Sequence, residues 1–250
     1  MDASVRLTVA GSGDAFGTGG RLQTCLHLQA RGRPDAVLID CGATALTGLK
    51  RLGLEPNEVS VVAISHLHGD HFGGLPFLVL DGQFRRRTRA LHVIGPVGLA
   101  DRLTQAMETF FPGSATADRR FAVHVHELDV AGDPVEIDGV AVRGFAVDHA
   151  AGAPALGLRV TVAGRTIAYS GDTSWTDALV KVADAADLFV CEAYTLDRAF
   201  RYHLHVPDLL ANRDRLRCRR LLLTHAGPQV LERRADIAFE LADDGTVIDL

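Results

Sequence analysis

The sequence predicts an α/β (α+β) fold, and three observations carry that prediction. Short β-branched runs alternate with helically spaced apolar segments along the chain. Asp138-Gly139 and Ala163-Gly164-Arg165 each separate two apolar runs, which marks hairpins within the same architecture. Six buried runs end in an Asp, Glu or His, the pattern of a rigid sheet presenting polar groups along one edge.

Val5–Ala10 reads as a strand that leads into the glycine-rich stretch Gly11–Gly20, a loop expected to border a site. No Gly-Lys-Ser/Thr follows it, and Arg21–Leu28 reads as a strand rather than a helix, so neither a Walker loop nor a dinucleotide fingerprint is present. Ala36–Ile39 is a buried strand; Ala45, Leu46, Leu49 and Leu52 then show helical spacing up to a stop at Gly53. Val59–Ile64 is a strand, followed by an apolar stretch to Leu80, a strand at Leu91–Ile94 and a helix over Leu99–Phe110. Phe121–His126 alternates as a strand, with His124 and His126 on one face as exposed or structural histidines. Hairpins are expected over Val135–Ile137 with Val140–Val147 and over Leu156–Val162 with Thr166–Tyr169. Leu188–Cys191 and Leu221–Leu223 close the series as apolar strands, with a helix over Pro207–Leu216 between them. No linker or low-complexity tract divides the chain, so residues 1–250 read as one domain.

With 47% hydrophobic and 23% charged residues the composition is that of a globular protein long enough for a sizeable core. The net charge of −5 argues against a generally nucleic-acid-binding or membrane-surface chain. Almost all the positive charge is arginine, and the runs Arg85-Arg86-Arg87-Thr88-Arg89 and Arg213–Arg220 lack the interleaved aromatics of a nucleic-acid surface, so they read as solvated faces. The four cysteines, Cys25, Cys41, Cys191 and Cys218, form no Cys-x-x-Cys and read as reduced thiols. Met1–Arg6 carries no secretory pattern and no apolar run is long enough to span a bilayer, so a cytoplasmic location without membrane partners is expected.

The chemistry concentrates in Ile64-Ser65-His66-Leu67-His68-Gly69-Asp70-His71. Three imidazoles and a carboxylate within six residues supply the donors that one or two divalent ions require. Period-two alternation would point His66, His68 and Asp70 the same way, with Asp70 capping a helix that runs on through Leu75. The other strand ends supply Asp40, Asp148-His149, Asp172, Glu192 and His225.

In this order the residues resemble the metallo-β-lactamase superfamily: Asp40, then His66-x-His68-x-Asp70-His71, His149, Asp172 within Ser170-Gly171-Asp172-Thr173, and His225. The resemblance covers nearly the whole chain and implies an αββα sandwich of two mixed β-sheets with helices outside. It further implies that His66, His68 and His149 hold one metal, that Asp70, His71 and His225 hold a second, that Asp172 bridges them, and that Asp40 orients a ligand from behind. An all-His/Asp donor set suits two zinc ions, with manganese or iron as alternatives. Two such ions hold a bridging hydroxide that attacks a phosphoryl or carbonyl centre.

His149–Arg159, and Cys191-Glu192-Ala193-Tyr194 with His203 ahead of Leu221–His225, resemble the ribonuclease Z-like phosphodiesterases. That resemblance makes His203 the group that assists the departing oxygen, Glu192 its partner, and Asp70 a recipient of the nucleophile's proton. The chain carries His203-Leu204-His205-Val206 where the branch has His-Ser-Thr, which leaves His205 as a rival to His203. Only one hairpin separates His149 from Asp172, where the tRNA enzymes insert a long RNA-gripping arm. The expected partner is therefore a small, cyclic or nucleotide-like phosphodiester rather than a long tRNA, and armless relatives imply a homodimer. The alternatives are hydrolysis of a carboxylic ester, lactone, β-lactam or sulfate ester on the same site, or a metal-holding accessory protein without turnover.

Overall fold

Among residues 4–250, which the computed structural model describes, fourteen strands form two seven-stranded sheets; Met1–Ala3 of the amino-terminal stretch read above lie outside the described residues. The first half contributes β1 (Val5–Gly11), β2 (Cys25–Ala30), β3 (Ala36–Ile39), α1 (Ala45–Arg51), β4 (Val59–Ala63), α2 (Gly69–Phe72), α3 (Leu75–Phe84), β5 (Leu91–Gly95), α4 (Leu99–Phe110) and β6 (Val123–Glu127). The second half contributes β7 (Val135–Ile137), β8 (Val140–Ala146), β9 (Leu156–Val162), β10 (Arg165–Tyr169), α5 (Ala178–Ala183), β11 (Leu188–Glu192), α6 (Val206–Ala211), β12 (Leu221–Thr224), α7 (Pro228–Glu232), β13 (Glu240–Leu241) and β14 (Val247–Asp249).

The first sheet runs β14-β1-β2-β3-β4-β5-β6 and the second β13-β12-β11-β10-β9-β8-β7. Both are mixed. In the first, β14, β1, β2 and β3 pair antiparallel and β3 to β6 parallel. In the second, β7 to β10 are antiparallel and β10 to β13 parallel. The last strand returns to the first sheet, where Ile248 pairs with Leu7.

Alternation along the strands builds the layers. Leu7, Val9, Leu26, Leu28, Val37, Ile39 and Val61 face Leu156, Leu158, Val160, Ile167, Val190 and Leu222 across the space between the sheets. The opposite faces pack on helices: Leu38, Val62 and Val93 under α1, α3 and α4, and Ala168, Phe189 and Leu223 under α5, α6 and α7. Helix, sheet, sheet, helix is the architecture the resemblance implies. Both predicted hairpins form, with the turn residues Asp138 (φ 51°), Gly139 (φ 79°), Ala163 (φ 49°) and Gly164 (φ 77°) in the left-handed conformations such tight turns need.

Three expectations are corrected. The strand expected from Arg21 begins only at Cys25, because Leu22 spends its carbonyl on Gly13 N (2.7 Å) and its N–H on Asp244. The helix expected over Pro207–Leu216 ends at Ala211 and continues as a 3₁₀ turn at Arg213–Arg215. Asp70 caps nothing: His68 is the N-cap of α2 and Asp70 lies in its first turn, so the period-two alternation stops at His68.

Candidate metal centre

The chain ends of β3, β4, β8, β10, β11 and β12 meet at one edge of the sandwich, and the polar residues just beyond them form the site. His66, His68 and His149 make one donor cluster, and Asp70, His71, Asp172 and His225 a second. Within each, one ligand atom per residue lies within 4.8 Å of the others. The turn into α2 divides the motif: His66 and His68 leave on extended backbone, whereas Asp70 and His71 project from the helix into the second cluster. Gly171, at φ 61°, makes the turn that aims Asp172; a Cβ there would meet Leu156 O at 2.5 Å and Ser65 Cβ at 3.3 Å.

Asp172 stands between the clusters, its Oδ2 4.0 Å from His66 Nε2, 3.4 Å from His71 Nε2 and 3.4 Å from His225 Nε2. Asp70 Oδ2 is 3.1 Å from His71 Nε2 and 3.3 Å from His225 Nε2. His149 Nε2 and His68 Nδ1 are 3.1 Å apart, close to the separation of about 3.3 Å for two nitrogens on one tetrahedral zinc.

The outer nitrogens of three rings are occupied. His71 Nδ1 bonds Asp40 Oδ2 (2.7 Å), His66 Nδ1 lies 3.0 Å from Ser65 Oγ, and His149 Nδ1 donates to the Tyr202 carbonyl (2.8 Å). Such outer bonds turn the remaining nitrogen, with its lone pair, inward. His66 Nε2, His71 Nε2 and Asp172 Oδ1 are buried there without a hydrogen-bond partner, which is costly unless something else meets them. Buried lone pairs converging from imidazole and carboxylate fit a divalent metal ion.

The protein's own field differs between the clusters. Burial, with neighbouring imidazoles, pushes His66, His68 and His149 below the usual histidine range, which keeps them neutral donors. Burial also opposes the charge on His71 and His225, but Asp172 and Asp70 outweigh it and raise both. Asp172 is held well below the carboxylate range, since His225 and His71 overcome its burial. The second cluster thus sets two carboxylates against two imidazoles that they hold charged, whereas the first offers three neutral imidazoles.

His203 and His205 are told apart. His203 Nδ1 bonds Glu192 Oε2 at 3.0 Å and lies 3.8 Å from Asp172 Oδ2, with its ring parallel to that of His225. His205 turns away to Leu196 O and Asp208 at the start of α6. Glu192 is buried, accepts the Thr173 N–H, and is pushed above the carboxylate range by burial and by the Asp172 charge. The glycine-rich loop does border the site: Ser12 O accepts from His225 N (3.0 Å) and from Thr224 Oγ1 (3.3 Å). Tyr194, whose ring is 4.6 Å from that of His203, and Ser65 received no role from sequence reasoning; both lie inside quoted motifs, but only packing shows what they touch.

Elsewhere, His124 and His126 stack with His92 on the first sheet's edge, outside both clusters, as expected of structural residues. The arginine runs are largely engaged by the protein. Arg85 pairs with Glu55, Arg89 with Asp35, and buried Arg87 donates to the carbonyls of Pro56, Val59, Arg89 and Ala90. Arg215, Arg217, Arg219 and Arg220 pair with Asp177, Asp184, Asp187 and Glu240. All four cysteines are free thiols, and no helix among the described residues is long and apolar enough to cross a membrane.

Known proteins resemble this chain in sequence and in fold. The family described as Anti-Pycsar protein Apyc1 matches residues 5–247. A ribonuclease Z of Natronomonas pharaonis is 30% identical over 310 aligned positions, covering 99% of this chain and 98% of that protein. The metallo-β-lactamase fold protein YhfI from Bacillus subtilis has a TM-score of 0.78 at 20% identity, over 99% of this chain and 100% of its own. The short form of human tRNase Z (ELAC1) has a TM-score of 0.77 at 26% identity, over 97% and 98%. Fold, donor clusters and relatives agree: the chain is a metal-dependent hydrolase belonging to the Anti-Pycsar protein Apyc1 family, within the ribonuclease Z-like branch of the metallo-β-lactamase fold.

Proposed function

We propose that the chain is a dinuclear phosphodiesterase that cleaves a small, cyclic or nucleotide-like phosphodiester. The observation that carries this reading is the His203–Glu192 pair set against two donor clusters that share Asp172. His66, His68 and His149 would hold one ion and Asp70, His71 and His225 the other, with Asp172 between; zinc suits these donors best. Bound there, two divalent ions supply a nucleophile at neutral pH and offset charge on the phosphoryl oxygens.

The chain's own groups do the rest. Asp70, kept ionised by His71 and His225 against its burial, accepts a hydrogen bond and then the proton from the attacking water. As the water oxygen bonds to phosphorus, the ester P–O bond on the far side breaks. Glu192, whose carboxyl is held protonated by burial and by Asp172, gives its hydrogen bond to His203 Nδ1. The imidazole proton then sits on Nε2 and passes to the departing oxygen as Nδ1 takes the proton of Glu192. The four free thiols fit a reducing, cytoplasmic setting.

A small substrate is favoured because β9 and β10 are joined by the two-residue turn Ala163-Gly164, so the His149–Asp172 interval carries a hairpin and no arm. The 30% identity to a ribonuclease Z makes precursor tRNA the second substrate to test. The experiment is steady-state hydrolysis by the zinc-loaded chain of a chromogenic phosphodiester, a precursor tRNA, a carboxylic ester, a β-lactam and a sulfate ester. The small phosphodiester should be preferred, and His203→Ala should lower kcat by about 10²–10⁴-fold with bound zinc unchanged. Preference for an acyl or sulfate substrate with His203 dispensable overturns the proposal, and efficient tRNA cleavage moves the substrate class to RNA.

A further inference from the structure

Ser65 lies between the strand β4 and the first metal-type histidine, fully buried, and its hydroxyl touches two polar groups. Asp40 Oδ2 is 2.7 Å away and His66 Nδ1 is 3.0 Å away. The Asp40 carboxylate also accepts the Ser65 N–H on Oδ1 (2.7 Å) and bonds His71 Nδ1 through Oδ2 (2.7 Å).

A proton inventory fixes these bonds. An ionised carboxylate only accepts, and a serine hydroxyl has one hydrogen to give. The 2.7 Å contact between Ser65 Oγ and Asp40 Oδ2 places that hydrogen between them, because two bare acceptors at this distance would repel. The hydroxyl's remaining capacity is as acceptor, so His66 must be the donor, with its proton on Nδ1. Its Nε2 then carries the lone pair, and that atom is the buried one with no partner, facing the donor clusters. His71 is set in the same way by direct contact with Asp40.

We infer that Ser65 is a positioning residue: it extends the reach of Asp40 from His71 to His66, so that one buried carboxylate sets the tautomer and ring orientation of an imidazole in each donor cluster. The clusters are thereby linked from behind as well as through Asp172. Replacing Asp40 would disturb both clusters, whereas removing the Ser65 hydroxyl would disturb only the one containing His66. This rests on the metal-centre reading above.

Two measurements test it. In the metal-free wild-type chain, at an alkaline pH where both rings are neutral, nitrogen-15 histidine spectra should show His66 and His71 both protonated on Nδ1. In Ser65→Ala the His66 ring should lose that fixed tautomer while His71 keeps it, and in Asp40→Asn both should lose it. Zinc titration against a chromophoric chelator should then find two tight equivalents in the wild type. Ser65→Ala should retain one and weaken the other by about 10–100-fold, and Asp40→Asn should weaken both. Nε2 protonation of His66 in the wild type, which needs no variant to fold, overturns the inference. So does a Ser65→Ala chain that keeps both zinc affinities, or loses both equally. Failure of the wild type to take up zinc would remove the metal-centre reading, and the tautomer spectra would then decide the inference alone.

Discussion

Asp40 and His225 both hold the backbone left-handed, at φ 57° and 53°, and each does so in the residue after a strand. Non-glycine residues there cost on the order of 1 kcal/mol, and such strain collects where a side chain must be aimed. Asp40 is aimed at Ser65 and His71, His225 at Asp70 and Asp172. His27 shows the opposite use of burial. It lies on the outer face of β2 opposite Leu38, among Thr8, Leu52 and Leu54, and burial pushes its pKa down to about 4. The unfolded chain protonates this ring near 6.5, whereas the folded chain keeps it neutral down to about 4. Its contribution is therefore complete above pH 6.5 and is lost as the pH falls towards 4. Urea unfolding of the wild type and His27→Gln should show the wild type losing roughly 2–3 kcal/mol more than the variant between pH 7 and 4.5. Parallel stability–pH curves for the two would refute the assignment.

At the scale of elements, what the sequence made legible follows from how strong each local signal is. Ala36–Ile39, Leu99–Phe110 and the two hairpins lie where their periodicity and turn residues put them, because there local preference and burial agree. Helices α5 and α7, of six and five residues, and strands β13 and β14, of two and three, are too short to carry a period and exist through what they pack against. The same limit applied at the site. Residue types and order pointed to the residues of both clusters, and the family resemblance divided them as the structure does. The residue pattern alone did not, because the division turns on α2, a four-residue helix that no periodicity announces. Choosing His203 over His205 needed the Glu192 contact, which joins residues on different elements. Packing overrides local preference most plainly at Gly48 in α1. Alanine is worth about 1 kcal/mol more than glycine inside an isolated helix. Here, however, a Cβ would stand 2.2 Å from Ala10 O on β1 and 3.2 Å from a Leu22 methyl. Helix and strand would have to part. Gly48→Ala should therefore destabilise by about 2–3 kcal/mol and lower Tm by roughly 5–10 °C. A calorimetric Tm equal to or above the wild type would show that the helix gives way freely.

Across the whole molecule the residues of the site come from both halves of the sandwich. Asp40, His66, His68, Asp70 and His71 follow strands of the first sheet, while His149, Asp172, Glu192 and His225 follow or end strands of the second. Away from this edge the sheets are held by apolar packing, which is indifferent to metal. At the edge, Asp40, Asp70, Asp172 and Glu192 are buried carboxylates gathered around buried imidazoles, a costly arrangement for the protein alone. Ions held there would tie one sheet to the other and favour the folded chain by mass action. At free zinc of about a thousand times Kd, each site contributes about 4 kcal/mol. A chain of this size shifts by about 2–4 °C per kcal/mol, so chelation followed by dialysis should lower Tm by on the order of 10–30 °C relative to the zinc-loaded protein. The loss should also be local. Amides after β4, β10 and β12 should exchange faster on chelation, while those in the middle of β1 and β9, within the apolar interlayer, keep their protection. Equal Tm values with and without zinc would mean that the two halves close on each other without metal, and the clusters would then have to be explained as hydrogen-bonded polar networks.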